Sequence, residues 1–225
     1  MSKQEIKNDP KCMIENFYNS DVAQSIENYD NSHIERYKKT ITYLEGKFSV
    51  QNSKICDMGC GPGYILKNLK GDNDLVGVDG TKFEDDKIRF YKANLDYENF
   101  SNNIPEKDID HMLCFETIEH LSNPYNFIFE CKKMMKDEAL FHISYPTTKV
   151  QHNTYYPGLL WPNENFKEFM NQMAFELVLT TVMPTQYGGV HLSTYKNLSW
   201  ENVKMKWNKK GDEFFAQPPH VQINI

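Results

Sequence analysis

An open α/β sheet with helices on both faces is the fold class this sequence predicts, and two stretches predict it. The first, ICDMGCGPGYIL from Ile55 to Leu66, runs from a short apolar segment through Gly59, Gly61 and Gly63 into a helix-forming pattern. A strand that delivers a glycine-rich turn to a helix N-terminus is how such a sheet brings its backbone close to a ligand. Glycine suits the turn because positive φ costs it little and no Cβ holds the ligand away. The second stretch, LVGVD from Leu75 to Asp79, reads as another buried strand ending in an acid. That acid lies roughly 20 residues beyond the first, where a carboxylate can accept both hydroxyls of a ribose.

The bulk properties bound the answer. A chain of 225 residues is long enough for one well-packed α/β domain, and residues 1–225 are read as one. The net charge of -6 argues against a nucleic acid backbone as the main partner, because neutralising phosphates takes a basic surface. Lys196, Lys204, Lys206, Lys209 and Lys210 cluster near the C-terminus and are read as a solvated face. Cys12, Cys56, Cys60, Cys114 and Cys131 have neither metal-ligand spacing nor a disulfide framework, so they read as reduced thiols. The N-terminus carries no secretory apolar stretch and no run reaches membrane-spanning length, so a soluble, cytoplasmic protein without a membrane partner is expected.

Taken in order, residues 1–52 form an N-terminal segment whose Ile34, Tyr37, Ile41 and Leu44 recur at helical spacing. Residues 53–183 hold the core. Ile88 to Ala93 is a third strand that runs into Asn94-Leu95-Asp96, and Ile109 to Phe115 is a fourth. Asn123 before Pro124 suits an N-cap followed by the first helical position, and the helix so opened, with Phe127, Ile128, Cys131, Met134 and Met135 on one side, is expected to end near Lys136. Leu140 to Ser144 is a fifth strand. Residues 145–162 lose periodicity and become aromatic, with Tyr145, Tyr155, Tyr156 and Trp161. A loop this long in a domain is usually functional or disordered, and its rings argue against disorder; it is read as the acceptor side of the site or as a small apolar cap. Asn163 to Met173 looks helical and Phe175 to Met183 strand-like. In residues 184–225, Gly188 to Tyr195 and His220 to Ile225 each qualify as the last strand.

The motif at the first turn reads Asp57-x-Gly59-x-Gly61-x-Gly63, with Asp79 at the second strand end and Asn94-Leu95 at the third. It is not the Gly-x-Gly-x-x-Gly of nicotinamide binders. Together these motifs resemble the class I S-adenosylmethionine-dependent methyltransferases of small-molecule type. The resemblance implies a Rossmann-like, mostly parallel seven-stranded sheet with an antiparallel C-terminal strand, and S-adenosylmethionine as cofactor. It further implies Asp57, Gly59, Gly61 and Gly63 around the methionine and ribose, Asp79 on the ribose hydroxyls, and Asn94, Leu95 and Phe115 on the adenine side. The N-terminal segment would lid the cofactor, with Arg36, Tyr18 or Tyr29 reaching the methionine end. The family usually places glycines between the helix and the fifth strand, where this chain has Asp137-Glu138.

Methyl transfer from a sulfonium is an in-line displacement, so alignment and exclusion of water do most of the work. A hydroxyl acceptor also benefits from a base. Glu116, Glu119 and His120 stand at i, i+3 and i+4, which one helical turn would place on one face. In one reading His120 is the base or a substrate contact, Glu119 orients it, and His152 of the aromatic loop assists. In another, Glu116, Glu119 and His120 join His152 around a divalent metal, as in the small-RNA 3′-end 2′-O-methyltransferases that the run also resembles. In a third, Glu119 and His120 only cap the helix. His142, His191 and His220 are read as structural. The expected activity is O-methylation of a hydroxyl-bearing small molecule, such as a sugar or nucleotide-linked metabolite. A metal-dependent RNA 3′-end enzyme and a non-catalytic cofactor-binding module are the alternatives.

Overall fold

The computed structural model describes residues 31–146, 163–185 and 188–200. The short apolar runs become one seven-stranded sheet. β1 (Lys54–Met58), β2 (Asp74–Asp79), β3 (Ile88–Lys92), β4 (Ile109–Cys114) and β5 (Met135–Pro146) run parallel. β7 (Gly188–Asn197) lies antiparallel beside β5, and β6 (Phe175–Thr185) is antiparallel to β7 at the edge. The order is β3-β2-β1-β4-β5-β7-β6, so six strands share one direction and β7 opposes them. This is the Rossmann-like sheet with the antiparallel strand that the motifs implied. The chain runs outward from β1 through β2 to β3 and then crosses to β4 on the other side of β1, a reversal that opens a crevice beyond the carboxyl ends of β1 and β4. Gly188–Asn197 supplies the last strand of the described sheet; His220 to Ile225 lies outside the described residues.

Strands covered on both faces read as near-continuous apolar runs, and their side chains alternate between two layers. Ile55, Leu113, Phe115 and Leu192 face one layer with Leu44, which comes from α1 (Asn31–Lys47). Ile65 and Leu66 of the short helix α2 (Tyr64–Asn68) join them. Cys56, Met58, Met112, Cys114, Phe141 and Ile143 face the other layer. That layer is closed by Phe127, Ile128 and Cys131 of α3 (Pro124–Lys132) and by Phe166, Phe169 and Met170 of α4 (Asn163–Gln172). Among the described residues no helix is long and apolar enough to cross a membrane.

Helix α3 begins as the sequence predicts, with the Asn123 side chain accepting the Asn126 N–H at 3.1 Å and Pro124 in the first turn. It ends at Lys132, earlier than Lys136, because β5 already starts at Met135. The pairing slips from Ile109↔Met135 to His111↔Leu140, and Glu138 takes φ 66 inside the slip. A left-handed acid thus stands where the family uses glycine, tied down by Lys196 Nζ at 2.6 Å. Lys132 is buried and donates to the carbonyls of Leu198 at 2.7 Å and Ala174 at 3.3 Å and to the Asn197 side chain. It clasps the β6–β7 hairpin to α3.

Candidate cofactor and acceptor site

The glycine turn leaves β1 and folds over the end of β2. Gly59, Gly61 and Gly63 all hold positive φ, at 79°, 52° and 78°. The Gly59 N–H donates to Val78 O at 2.8 Å and the Gly61 N–H to Asp79 Oδ2 at 2.9 Å. Thr81 N–H donates to the other Asp79 oxygen at 2.9 Å. A Cβ on Gly59 would stand 2.2 Å from Thr117 Oγ1, so the turn after β1 and the segment after β4 meet there with no room to spare.

Asp57 and Asp79 point toward the α1 side of the sheet and are only 3 % and 4 % exposed. Burial, and then the neighbouring Asp79 charge, push the Asp57 carboxyl up to about 7. Burial raises Asp79 as well, against the backbone N–H groups that favour its ionised form. Two buried acids that repel each other beside a glycine cradle form an acceptor-rich site, suited to a partner that brings hydroxyl or ammonium donors.

The third strand end is more divided than expected. Asn94 is half-buried, and its Oδ1 accepts the Asp96 N–H at 3.0 Å. The amide nitrogen, a donor, is what remains for a ligand. Leu95 is 3 % exposed and belongs to the core on the α3 side. Phe115 is 6 % exposed and belongs to the core on the α1 side. Leu95 and Phe115, expected together on the adenine side, thus pack in different layers of the core. Phe115 follows Cys114 in the strand alternation, which sends its ring to the opposite layer.

The Glu-x-x-Glu-His run is also rearranged. Glu116, Glu119 and His120 do not share a helical turn, because the 3₁₀ turn covers only Ile118–His120 and Glu116 sits before it at φ 53. Glu116 turns to Arg36 of α1, whose NH1 lies 3.0 Å from Oε2, and to Ser144 of β5, whose Oγ donates to Oε1 at 2.8 Å. Glu119 is 5 % exposed, and its Oε2 has no hydrogen-bond partner among the described residues. Burial, then the Glu116 charge, raises its carboxyl well above the ordinary range. Glu119 Oε1 is 4.0 Å from His120 Nε2, too far for the orienting hydrogen bond expected of it. His120 remains partly open to solvent.

Among the described residues no three ligating side chains are gathered for a metal, and Glu116 is already paired with Arg36. His152, Tyr18, Tyr29, Cys12, the lysines beyond Lys196 and the aromatic loop from residue 147 lie outside the described residues. Tyr145, at the start of that loop, is core instead of pocket, 4 % exposed and packed on Phe166 at 4.2 Å. Ser144 is the residue that sequence reasoning missed. Its signal was parity: within the fifth strand it shares a face with His142, on the side of Asp57 and Phe115.

A family model described as a methyltransferase domain matches residues 29–178. The ubiquinone biosynthesis O-methyltransferase of Glaesserella parasuis serovar 5 (strain SH0165) is 26% identical over 118 residues, covering 46% of this chain and 50% of that protein. The carboxy-S-adenosyl-L-methionine synthase of Campylobacter lari is 37% identical over 79 residues, 29% of this chain and 34% of that protein. The chain thus aligns with half or less of the length of these curated relatives. Among solved structures, magnesium protoporphyrin IX methyltransferase from Synechocystis PCC 6803, with bound SAH, superposes with a TM-score of 0.62 at 11% identity. The match covers 84% of this chain and 100% of that one. The 1,6-didemethyltoxoflavin-N1-methyltransferase of Burkholderia thailandensis gives a TM-score of 0.57 at 14% identity, with 76% and 80% covered. With the family model spanning the glycine turn, both acids and the first residues of β6, the chain belongs to the class I S-adenosylmethionine-dependent methyltransferase family.

Proposed function

We propose that this chain transfers the methyl group of S-adenosylmethionine to a hydroxyl of a small molecule. The observation that carries the reading is the buried pair Asp57 and Asp79 beside a glycine turn in which no Cβ fits at Gly59. Such a pair fits a ligand that offers ribose hydroxyls and an ammonium group. When bound, S-adenosylmethionine supplies an electrophilic methyl on sulfur.

The chain's own residues then bind, orient and take up a proton. Asp79 accepts from the ribose, the glycine turn admits the chain of the ligand close to the backbone, and Asn94 donates to the adenine edge. At the carboxyl end of β4, His120 takes the acceptor's proton as its oxygen attacks. Substitution of His120 by alanine is expected to lower turnover while leaving cofactor affinity within about twofold. Equal loss of both would assign His120 a structural role. The two ubiquinone biosynthesis O-methyltransferases among the relatives support an oxygen acceptor, and the net charge of -6 supports a small molecule over RNA.

The deciding experiment follows labelled methyl from S-adenosylmethionine into two separated pools, small metabolites and total RNA, each with and without a chelator. Label in the small-molecule pool that survives chelation is the expected result. Chelator-sensitive label in RNA would replace this reading with the metal-dependent one. Tight cofactor binding without label in either pool would make the chain a non-catalytic binding module.

A further inference from the structure

The carboxyl end of β5 carries a buried side chain that this chemistry does not use. Ser144 is 2 % exposed. Its Oγ accepts the Glu116 N–H at 2.8 Å and donates to Glu116 Oε1 at 2.8 Å. Two bonds between the same residues fix both the backbone and the carboxylate of Glu116. They also hold it at φ 53, a conformation that residues with a Cβ keep only when their surroundings impose it.

The constraint is passed on. Glu116 Oε2 meets Arg36 NH1 at 3.0 Å, so the series Ser144, Glu116, Arg36 ties α1 to the ends of β4 and β5. Two buried polar atoms beside it have no partner among the described residues, Arg36 Nε and Glu119 Oε2. The Arg36 and Glu116 charges both act on Glu119, so the four side chains form one electrostatic group. Buried orphans of this kind are rare in folded proteins and call for an explanation, such as a role in binding or catalysis. An unpartnered guanidinium N–H together with an unpartnered carboxyl oxygen is the complement of a group that carries both a carboxylate and an ammonium.

We propose that Ser144 is a positioning residue: by fixing Glu116 it holds Arg36 and the neighbouring acids as a matched set for the zwitterionic amino-acid end of the cofactor. The inference rests on the cofactor reading above and names what aligns it. Among the described residues the Ser144 hydroxyl bonds to Glu116. Loss of its hydroxyl frees the Glu116 carboxylate to rotate, and Arg36 then loses its fixed counter-charge.

The test compares two ligands by calorimetry. S-Adenosylhomocysteine carries the amino-acid end, and 5′-methylthioadenosine keeps the adenosine and sulfur without it. Ser144→Ala is expected to weaken the first about tenfold and to leave the second within about twofold. Ser144→Thr, which keeps a hydroxyl on a residue suited to a strand, restores the difference. Glu116→Gln, which keeps the backbone contact and removes the charge facing Arg36, shows the same selective loss and covers the case in which the alanine variant does not fold. Equal weakening of both ligands, or of neither, overturns the proposal. A wild-type protein that binds neither ligand overturns the cofactor reading itself, a result distinct from a wild type that binds both and a variant that fails to discriminate.

Discussion

Asp79 Oδ2 accepts the Gly61 amide hydrogen at 2.9 Å, so the acid that ends β2 and the glycine turn that follows β1 hold each other in place. The same carboxylate is the one proposed to receive the ribose. Asp79→Ala is expected to weaken S-adenosylmethionine binding by about 1.5–3 kcal/mol through loss of charge-assisted hydrogen bonds. Asp79→Asn, which keeps an oxygen for one backbone N–H, should lose less. Calorimetry decides the matter, and an alanine variant with wild-type affinity would remove Asp79 from the site.

Asp57 gives a prediction of opposite sign for stability. Its carboxyl, pushed up to about 7 by burial and by Asp79, holds a proton in the folded chain at pH values where the unfolded chain has released it. The folded state therefore binds more protons between about 4 and 7, and stability falls as pH rises through that window. Asp57→Asn removes the penalty. The ligand-free variant is expected to exceed wild type by roughly 2–4 kcal/mol at pH 8 and to approach it below pH 4. Urea unfolding at both pH values is the check, with cofactor affinity expected to drop in the same variant. A constant stability difference across pH would show that Asp57 does not titrate in this way.

At the other end of the sheet Glu106 gathers Arg89 Nε at 2.8 Å, Arg89 NH2 at 3.2 Å, the Tyr91 hydroxyl at 2.8 Å and Lys54 Nζ at 2.8 Å. Hydrogen bonds from Arg89, offset in part by burial and joined by those of Lys54 and Tyr91, hold its carboxyl down at about 2. For a carboxyl with a depressed folded value, the stabilisation is fully present above the unfolded value and is lost as pH falls through the folded one. Glu106→Gln is thus expected to cost about 2–3 kcal/mol at pH 7 and to flatten the acid limb of the stability curve between pH 4.5 and 2. Thermal unfolding followed across that range measures both effects.

How much of this was legible in the sequence differs from residue to residue. The strand ends at Asp57 and Asp79 could be read because buried parallel strands are apolar throughout, so an acid or glycine at their carboxyl end stands out. The contacts of Glu116 could not be read. Periodicity assigned it to a helix, whereas Ser144 and Arg36, distant in sequence, hold it in a left-handed conformation outside the 3₁₀ turn. Leu95 and Phe115 looked equivalent as apolar neighbours of strand ends, and only the parity of β4 separates their layers. Glu138 was flagged as a departure from glycine, yet the slip in the β4–β5 register that gives it positive φ depends on pairing and leaves no local mark.

Beneath α1 runs a buried polar chain, of which sequence reasoning names only His142, as a structural histidine. His111 Nδ1 meets His142 Nε2 at 2.9 Å, His142 Nδ1 meets Thr194 Oγ1 at 2.9 Å, and Thr194 Oγ1 meets the Tyr43 hydroxyl of α1 at 2.8 Å. Phe48 lies against the His142 ring at 4.8 Å. Burial lowers both histidines; for His111 the nearby Asp110 charge opposes the shift, and for His142 the neighbouring His111 adds to it. The unfolded chain takes up protons near 6.5 while the folded chain refuses them until lower pH, so stability falls as pH drops below 6.5. Each excluded proton contributes a slope of about 1.4 kcal/mol per pH unit. His142→Gln removes one such site. It is expected to cost about 1–2 kcal/mol at pH 7.5 through broken hydrogen bonds, and to lose less than wild type on going from pH 6.5 to 5. Parallel urea midpoints for the two proteins over that range would mean that His142 is not excluding a proton, and that the acid sensitivity beneath α1 belongs to His111 alone.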